Sequence, residues 1–219
     1  MDFGAKVVQF YRDFRPPENL PDGIELANPY EHPARRGAIE QFYAKFFSDE
    51  FARIHILGIN PSRLNTTATG VNYTDGYALK NYCEIDNDFS QSRELTADFF
   101  YRVVDAMGGA STFYRRVFPW AMMPVTVTKE GNYANYYSND ILEDMKSLVS
   151  DNIRWLTSLP ANGKLVILGA GENQKVFNGL PGSPFGYNEV VTLPHPRWIM
   201  QYNRNKIDAY IEDYVNALS

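Results

Sequence analysis

Cysteine is almost absent from this chain. A single Cys83 in 219 residues excludes an internal disulfide framework and any cysteine-rich zinc site. Nothing in Asn81-Tyr82-Cys83-Glu84 would lower the thiol's pKa, so it is no nucleophile either. Histidine is equally scarce: His32, His55 and His195 lie far apart, none in a His-x-x-x-His or Cys-x-x-Cys context, and no metal is expected. Long apolar runs are missing too. None approaches the roughly 20 residues needed to cross a bilayer, and Met1-Asp2-Phe3-Gly4 opens with no basic leader ahead of an apolar block. The expectation is a soluble, cytoplasmic protein with no membrane partner. Positive charge is not in excess, with 21 Lys and Arg against 26 Asp and Glu. A net −5 argues against a protein that coats nucleic acid, although it leaves room for one that grips a few phosphates locally. The turn Gly169-Ala170-Gly171 lacks the third glycine of a dinucleotide fingerprint, since Gln174 stands there, so it reads as a tight strand-to-helix turn and no cofactor is expected. Asp75, Glu84, Asp86 and Asp88 crowd one stretch without the alternate spacing and central glycine of a calcium loop; Asp75 alone is kept as a second candidate base.

What the chain does have is apolar patterning and aromatics. Apolar residues are 44% of the total, enough for one substantial core, and the 15 tyrosines are compatible with base stacking. Phe3, Val7, Phe10 and Phe14 recur at helical spacing and Pro16-Pro17 ends that helix; residues 18–33 read as irregular. A helix from about 34 to 51 feeds a buried strand, Arg53 to Leu57, ending at Gly58, and residues 61–92 read as a long loop from its carboxyl end. A helical stripe from Leu95 to Met107 precedes an irregular strand within Val117 to Val127, which holds Pro119 and Pro124. The clearest amphipathic helix runs from Ile141 to Leu156, with Asn139 as its N-cap; strands Lys164 to Leu168 and Glu189 to Leu193 follow, and Ile207 to Leu218 closes the chain as a helix. No repeat or linker divides residues 1–219, so one domain is expected, its first 33 residues forming a helix and an irregular extension. Helices alternating with short apolar strands imply a parallel sheet covered on both faces, which binds ligands beyond the carboxyl ends of its strands. Asn60 and His195 both follow strands at that edge, and an amide facing an imidazole suits cleavage of a base from its sugar. His55 lies mid-strand and reads as structural, whereas His195 is fixed between Pro194 and Pro196, a good way to aim a side chain.

Gly58-Ile59-Asn60-Pro61, continued through Ser62 to Thr69-Gly70-Val71-Asn72-Tyr73, resembles the first motif of single-strand-selective monofunctional uracil-DNA glycosylases, with no gap needed. Further matches come in order: Arg93-Glu94-Leu95-Thr96 leading into Phe99-Phe100, then Met123-Pro124 where the family has Cys-Pro, then Lys164 to Gly171, then His195-Pro196. The resemblance spans roughly residues 50–218 and draws its specificity from the order of the motifs. It implies a three-layer α/β/α sandwich with a central, mainly parallel four-stranded sheet, acting as a monomer on single- or double-stranded DNA from which the damaged base is flipped.

Carried over by position, the resemblance makes Asn60 and His195 the catalytic pair: Asn60 positions the attacking water and His195 stabilises the departing base. It implies a base pocket from Gly58, Ile59, Tyr73, Ala121 and Met123, with Tyr73 stacking on the flipped base. Arg63, Arg197, Trp198 and Ile199 are expected to contact DNA, as phosphate ligands or as a wedge. Trp198 has an equal alternative in packing beneath the last helix. Arg63, Lys129, Arg204 and Lys206 are further cations for the phosphate grip. Two departures stand out. Ala121 replaces the asparagine with which the family reads the pyrimidine edge, and the family's His-Pro-Ser-Pro-Arg run is here His195-Pro196-Arg197-Trp198-Ile199. The leading expectation is a metal-independent, monofunctional hydrolase of the N-glycosidic bond of uracil or a related damaged base, since no lysine stands beside Asn60 to form a Schiff base. Ala121 keeps open a catalytically weak damaged-DNA or nucleotide-binding protein, and a nucleoside hydrolase is a third possibility.

Overall fold

The computed structural model describes residues 1–61, 69–138 and 141–219. Four strands, β2 (Arg53–Gly58), β3 (Val117–Ala121), β6 (Ala161–Leu168) and β7 (Glu189–Leu193), form a sheet of order β3-β2-β6-β7 in which every pairing is parallel. β2 sits between β3 and β6 and is buried along its whole length, as expected of a near-continuous apolar run inside a parallel sheet. Its first residue, Arg53, is fully buried as well. The guanidinium is tolerated because it pairs with both oxygens of Asp49 at 2.8 and 2.9 Å, donates to the Tyr114 carbonyl at 2.7 Å and lies between the rings of Phe3 and Phe47.

Helices cover the sheet on both faces. On one face α1 (Phe3–Asp13), N-capped by the Asp2 carboxylate, sets Phe3 edge-on to Phe118 and Phe10 edge-on to Trp120. α6 (Leu142–Thr157) brings Trp155 to the same cluster, 5.0 Å from Trp120. Elsewhere α2 (Pro33–Phe46) packs on α1, and α4 (Leu95–Ala106) packs on α8 (Pro196–Tyr202) and α9 (Ile207–Ala217), where Phe99 meets Tyr214. The α/β architecture is the one expected, and its sheet is wholly rather than mainly parallel.

Three stretches differ from expectation. The segment 18–33, read as irregular, contains β1 (Ile24–Ala27), which pairs antiparallel with β4 (Thr126–Lys129); β4 in turn pairs with β5 (Asn132–Tyr133) in a small second sheet. The single irregular strand expected over 117–127 is two strands in different sheets, separated at Met122-Met123-Pro124, and a short helix α5 (Ala110–Arg116) precedes it. The long loop after β2 contains α3 (Gly76–Asn81). The expected Asn139 cap lies outside the described residues. α7 (Glu172–Gly179) follows the Gly169-Ala170-Gly171 turn, so that turn does lead from strand to helix.

Candidate active site

The carboxyl ends of β2, β3 and β7 open into a cleft of about 390 Å³. Asn60 and His195 both line it, with Ile59, Tyr73, Ala121, Arg197 and Trp198. Seven residues singled out in the sequence therefore converge on one cleft. Gly58, Met123 and Ile199 do not line it. Gly58 lies behind Tyr73: a Cβ there would come within 1.7 Å of the Tyr73 hydroxyl, so the glycine is what lets that ring lie against the strand end. Met123 is fully buried and ties its N–H to the Ile59 carbonyl at 3.1 Å. Ile199 is also fully buried, on the core-facing side of α8, so the expected DNA contact from it gives way to core packing. Arg63 lies outside the described residues.

Asn60 is held by three hydrogen bonds to β5 and the segment that follows it. Its Nδ2 donates to the Tyr133 hydroxyl and to the Ala134 carbonyl, each at 3.2 Å, and its Oδ1 accepts from the Tyr136 N–H at 3.2 Å. The segment is itself anchored, because the Tyr136 hydroxyl donates to Asn173 Oδ1 at 2.7 Å, and Asn173 Nδ2 donates to the carbonyls of Leu168 and Gly58 at 3.0 and 3.3 Å.

His195 is the N-cap of α8, and its Nδ1 accepts the Arg197 N–H at 3.2 Å. An accepting Nδ1 carries no proton, so the neutral ring bears its hydrogen on Nε2. Burial, reinforced by the nearby charge of Arg197, lowers the His195 pKa to about 4. The cleft therefore holds a neutral imidazole with one N–H to give. Tyr73, with a positive φ of 58°, stacks on Phe100 at 4.7 Å and also lines the cleft.

Ala121 lines the cleft with a methyl group. The polar groups beneath it belong to the scaffold: Asn152 donates to the Ala121 and Met122 carbonyls at 2.9 Å and accepts the Trp120 indole N–H at 2.9 Å. Thr126 stays in β4, paired with Ala27, and does not line the cleft. Asp75 is spent elsewhere: one oxygen caps α3 through the Ala78 N–H and the other takes the Glu94 N–H, both at 2.8 Å. No carboxylate and no lysine lines the cleft among the described residues. Nor do three His, Cys, Asp or Glu side chains gather anywhere among them in a way that could hold a metal ion.

One lip of the cleft was not read from the sequence. Tyr133, Asn135 and Tyr137 form it, joined by hydrogen bonds from Tyr133 to Asn135 and from Asn135 to Tyr137. The run Asn132-Tyr133-Ala134-Asn135-Tyr136-Tyr137, alternating amides and phenols after the Gly131 turn, was the available signal. On the opposite lip Trp198 and Tyr202, one helical turn apart on α8, are 45% and 72% exposed. Trp198 also sets its ring edge against Tyr210 of α9 at 6.3 Å, so packing and exposure are combined in one side chain. Among the described residues no helix is long and apolar enough to cross a membrane.

Comparison with known proteins agrees with this geometry. A crystal structure of wild-type SMUG2 from Pedobacter heparinus superimposes with a TM-score of 0.91 at 33% sequence identity, over 99% of this chain and 97% of that one. No curated protein matches by sequence. The model of the uracil DNA glycosylase superfamily matches residues 44–219, from the end of α2 through every strand of the parallel sheet to the last helix. With that span, and with the ordered motifs at the sheet's carboxyl edge, the chain belongs to the uracil DNA glycosylase superfamily and is SMUG-like within it.

Proposed function

We propose that this protein is a monofunctional DNA glycosylase, hydrolysing the N-glycosidic bond of uracil or a related damaged base as a step in base excision repair. The observation that carries the proposal is the convergence of Asn60 and His195 on one cleft that no carboxylate lines among the described residues. Ordinary glycoside hydrolysis uses two carboxylates, one of them to activate or replace water. A nucleobase such as uracil can instead leave as a delocalised anion. Bond breaking then runs ahead of attack, and water needs orientation more than deprotonation. Asn60 Oδ1 keeps one lone pair beyond the Tyr136 N–H and can orient that water. His195 supplies an Nε2–H toward the negative charge that develops on the departing base, a type of contribution worth about 3 kcal/mol at oxyanion sites.

Bringing the bond into the cleft requires flipping the nucleotide, at a cost of a few kcal/mol. Tyr73 offers a stacking face to the extruded base, with Ile59 and Ala121 as further walls. Arg197 offers a cation to the strand, and Trp198 offers an exposed ring that can fill the vacated stack. The absence of a lysine among the described cleft residues favours water over an amine nucleophile. Ala121 favours one competing reading, a binder of damaged DNA with little turnover, because no side-chain amide at that position reads the base edge.

The test is incubation with uracil-containing single- and double-stranded oligonucleotides followed by alkali, with hypoxanthine and oxidised pyrimidines offered in parallel. Strand breaks absent from Asn60→Ala and His195→Ala controls are expected. DNA binding with no product from any of these bases would instead favour the binding protein.

A further inference from the structure

Backbone groups alone settle which way the Asn60 amide faces. The Tyr136 N–H can only donate and the Ala134 carbonyl can only accept, so the atoms facing them are Oδ1 and Nδ2 respectively. Two hydrogens on Nδ2 then need acceptors. Ala134 takes one, and the Tyr133 hydroxyl takes the other at 3.2 Å while donating its own proton to Asn135 Oδ1 at 3.2 Å.

This arrangement has a chemical consequence. A water that donates to Oδ1 keeps an oxygen lone pair free for attack. A water that accepts from Nδ2 has one of its two lone pairs engaged and its hydrogens turned away from the amide. Resting on the hydrolytic reading above, we infer that Tyr133 is a positioning residue: its hydroxyl sequesters the second Nδ2 hydrogen of Asn60, so that the amide meets the attacking water only through Oδ1. The ring belongs to the exposed lip of the cleft, but the inferred role lies in the hydroxyl alone. Tyr133→Phe separates the two, because it keeps the ring and removes the acceptor. A side chain 41% exposed at the end of a two-residue strand tolerates that change without unfolding the protein.

The experiment is single-turnover cleavage of a uracil-containing oligonucleotide by the wild type, Tyr133→Phe, Asn60→Ala and the double variant, with affinity for the same oligonucleotide measured by fluorescence anisotropy. Tyr133→Phe is expected to slow cleavage about 10-fold, the equivalent of one neutral hydrogen bond. Affinity should stay within about twofold, since the lost interaction serves the transition state rather than binding. In the Asn60→Ala background the same substitution should change nothing further, which a merely structural effect would not reproduce. An active wild type with an indifferent Tyr133→Phe, or an equal slowing in both backgrounds, overturns the inference and leaves the glycosylase reading standing. A wild type that cleaves no damaged base takes both down together.

Discussion

At His195 the nitrogen that caps α8 determines what the other nitrogen can offer. Protonating Nδ1 would set an N–H against the Arg197 N–H, and the cleft already disfavours the imidazolium through burial and the Arg197 charge. With the folded pKa lowered to about 4, the ring is neutral above that value and its Nε2–H is available throughout the neutral range. Single-turnover cleavage should therefore be flat from about pH 8 down to about pH 5, with no inflection near the ordinary histidine value of about 6.5. A rate that climbs on acidification through that value would mean that the imidazolium is the working form. The site was legible at this scale where a residue's backbone setting was written into its neighbours. Asn60 before Pro61 and His195 between two prolines were readable as strand-end side chains. Ile199 was not, because helical phase decides between lip and core, and α8 is too short at seven residues to betray its phase by pattern.

Among the elements, α7 does more for the cleft than its place behind the sheet suggests. Its second residue, Asn173, is 2% exposed and joins three pieces of chain: the ends of β2 and β6 through the Gly58 and Leu168 carbonyls, and the Asn60-binding segment through the Tyr136 hydroxyl. Asn173→Ala removes these bonds and leaves the buried Tyr136 hydroxyl without its acceptor, and leaving even one such group unpaired costs about 1–3 kcal/mol. A loss of about 3 kcal/mol, read from the urea midpoint, is expected, together with slower cleavage because Tyr136 also orients Asn60. Exposed Asn132→Ala, one strand away, should stay within about 0.5 kcal/mol. Elements with a sustained period were readable from sequence: α1, α4, α6 and the buried strands β2 and β6 all lie where apolar spacing puts them. The small sheet was not. β1 has four residues between Pro21 and Pro29, and β5 has two, too few for alternation to emerge from composition. Their pairing with β4 is decided by tertiary packing, and so the lip that carries Tyr133 was missed along with them.

Across the whole molecule the packed layers bury one imidazole that does not line the cleft. His55, mid-strand in β2, is fully buried among Phe3, Phe118 and Tyr187, with Nδ1 bonded to the Tyr187 hydroxyl at 2.7 Å. Burial lowers its pKa to about 4, as at His195. In the unfolded chain both rings return to about 6.5, so between these values the unfolded state binds protons that the native state refuses. Stability is fully present above about 6.5 and drains away as pH falls toward about 4, at up to about 1.4 kcal/mol per pH unit for each histidine. The stretch from about pH 6.5 to 5 isolates this effect, because ordinary carboxylates titrate below it. Asp75, whose pKa is raised by burial, acts in the opposite sense and only nearer the carboxylate range. Urea midpoints measured across that stretch should decline on acidification in the wild type. His55→Asn should begin less stable, having lost packing against Phe3 and Phe118, yet decline with a slope smaller by one proton. Equal slopes in the two proteins would mean that His55 titrates normally in the fold, and that the layer formed by α1 over β2 and β3 admits water to the ring.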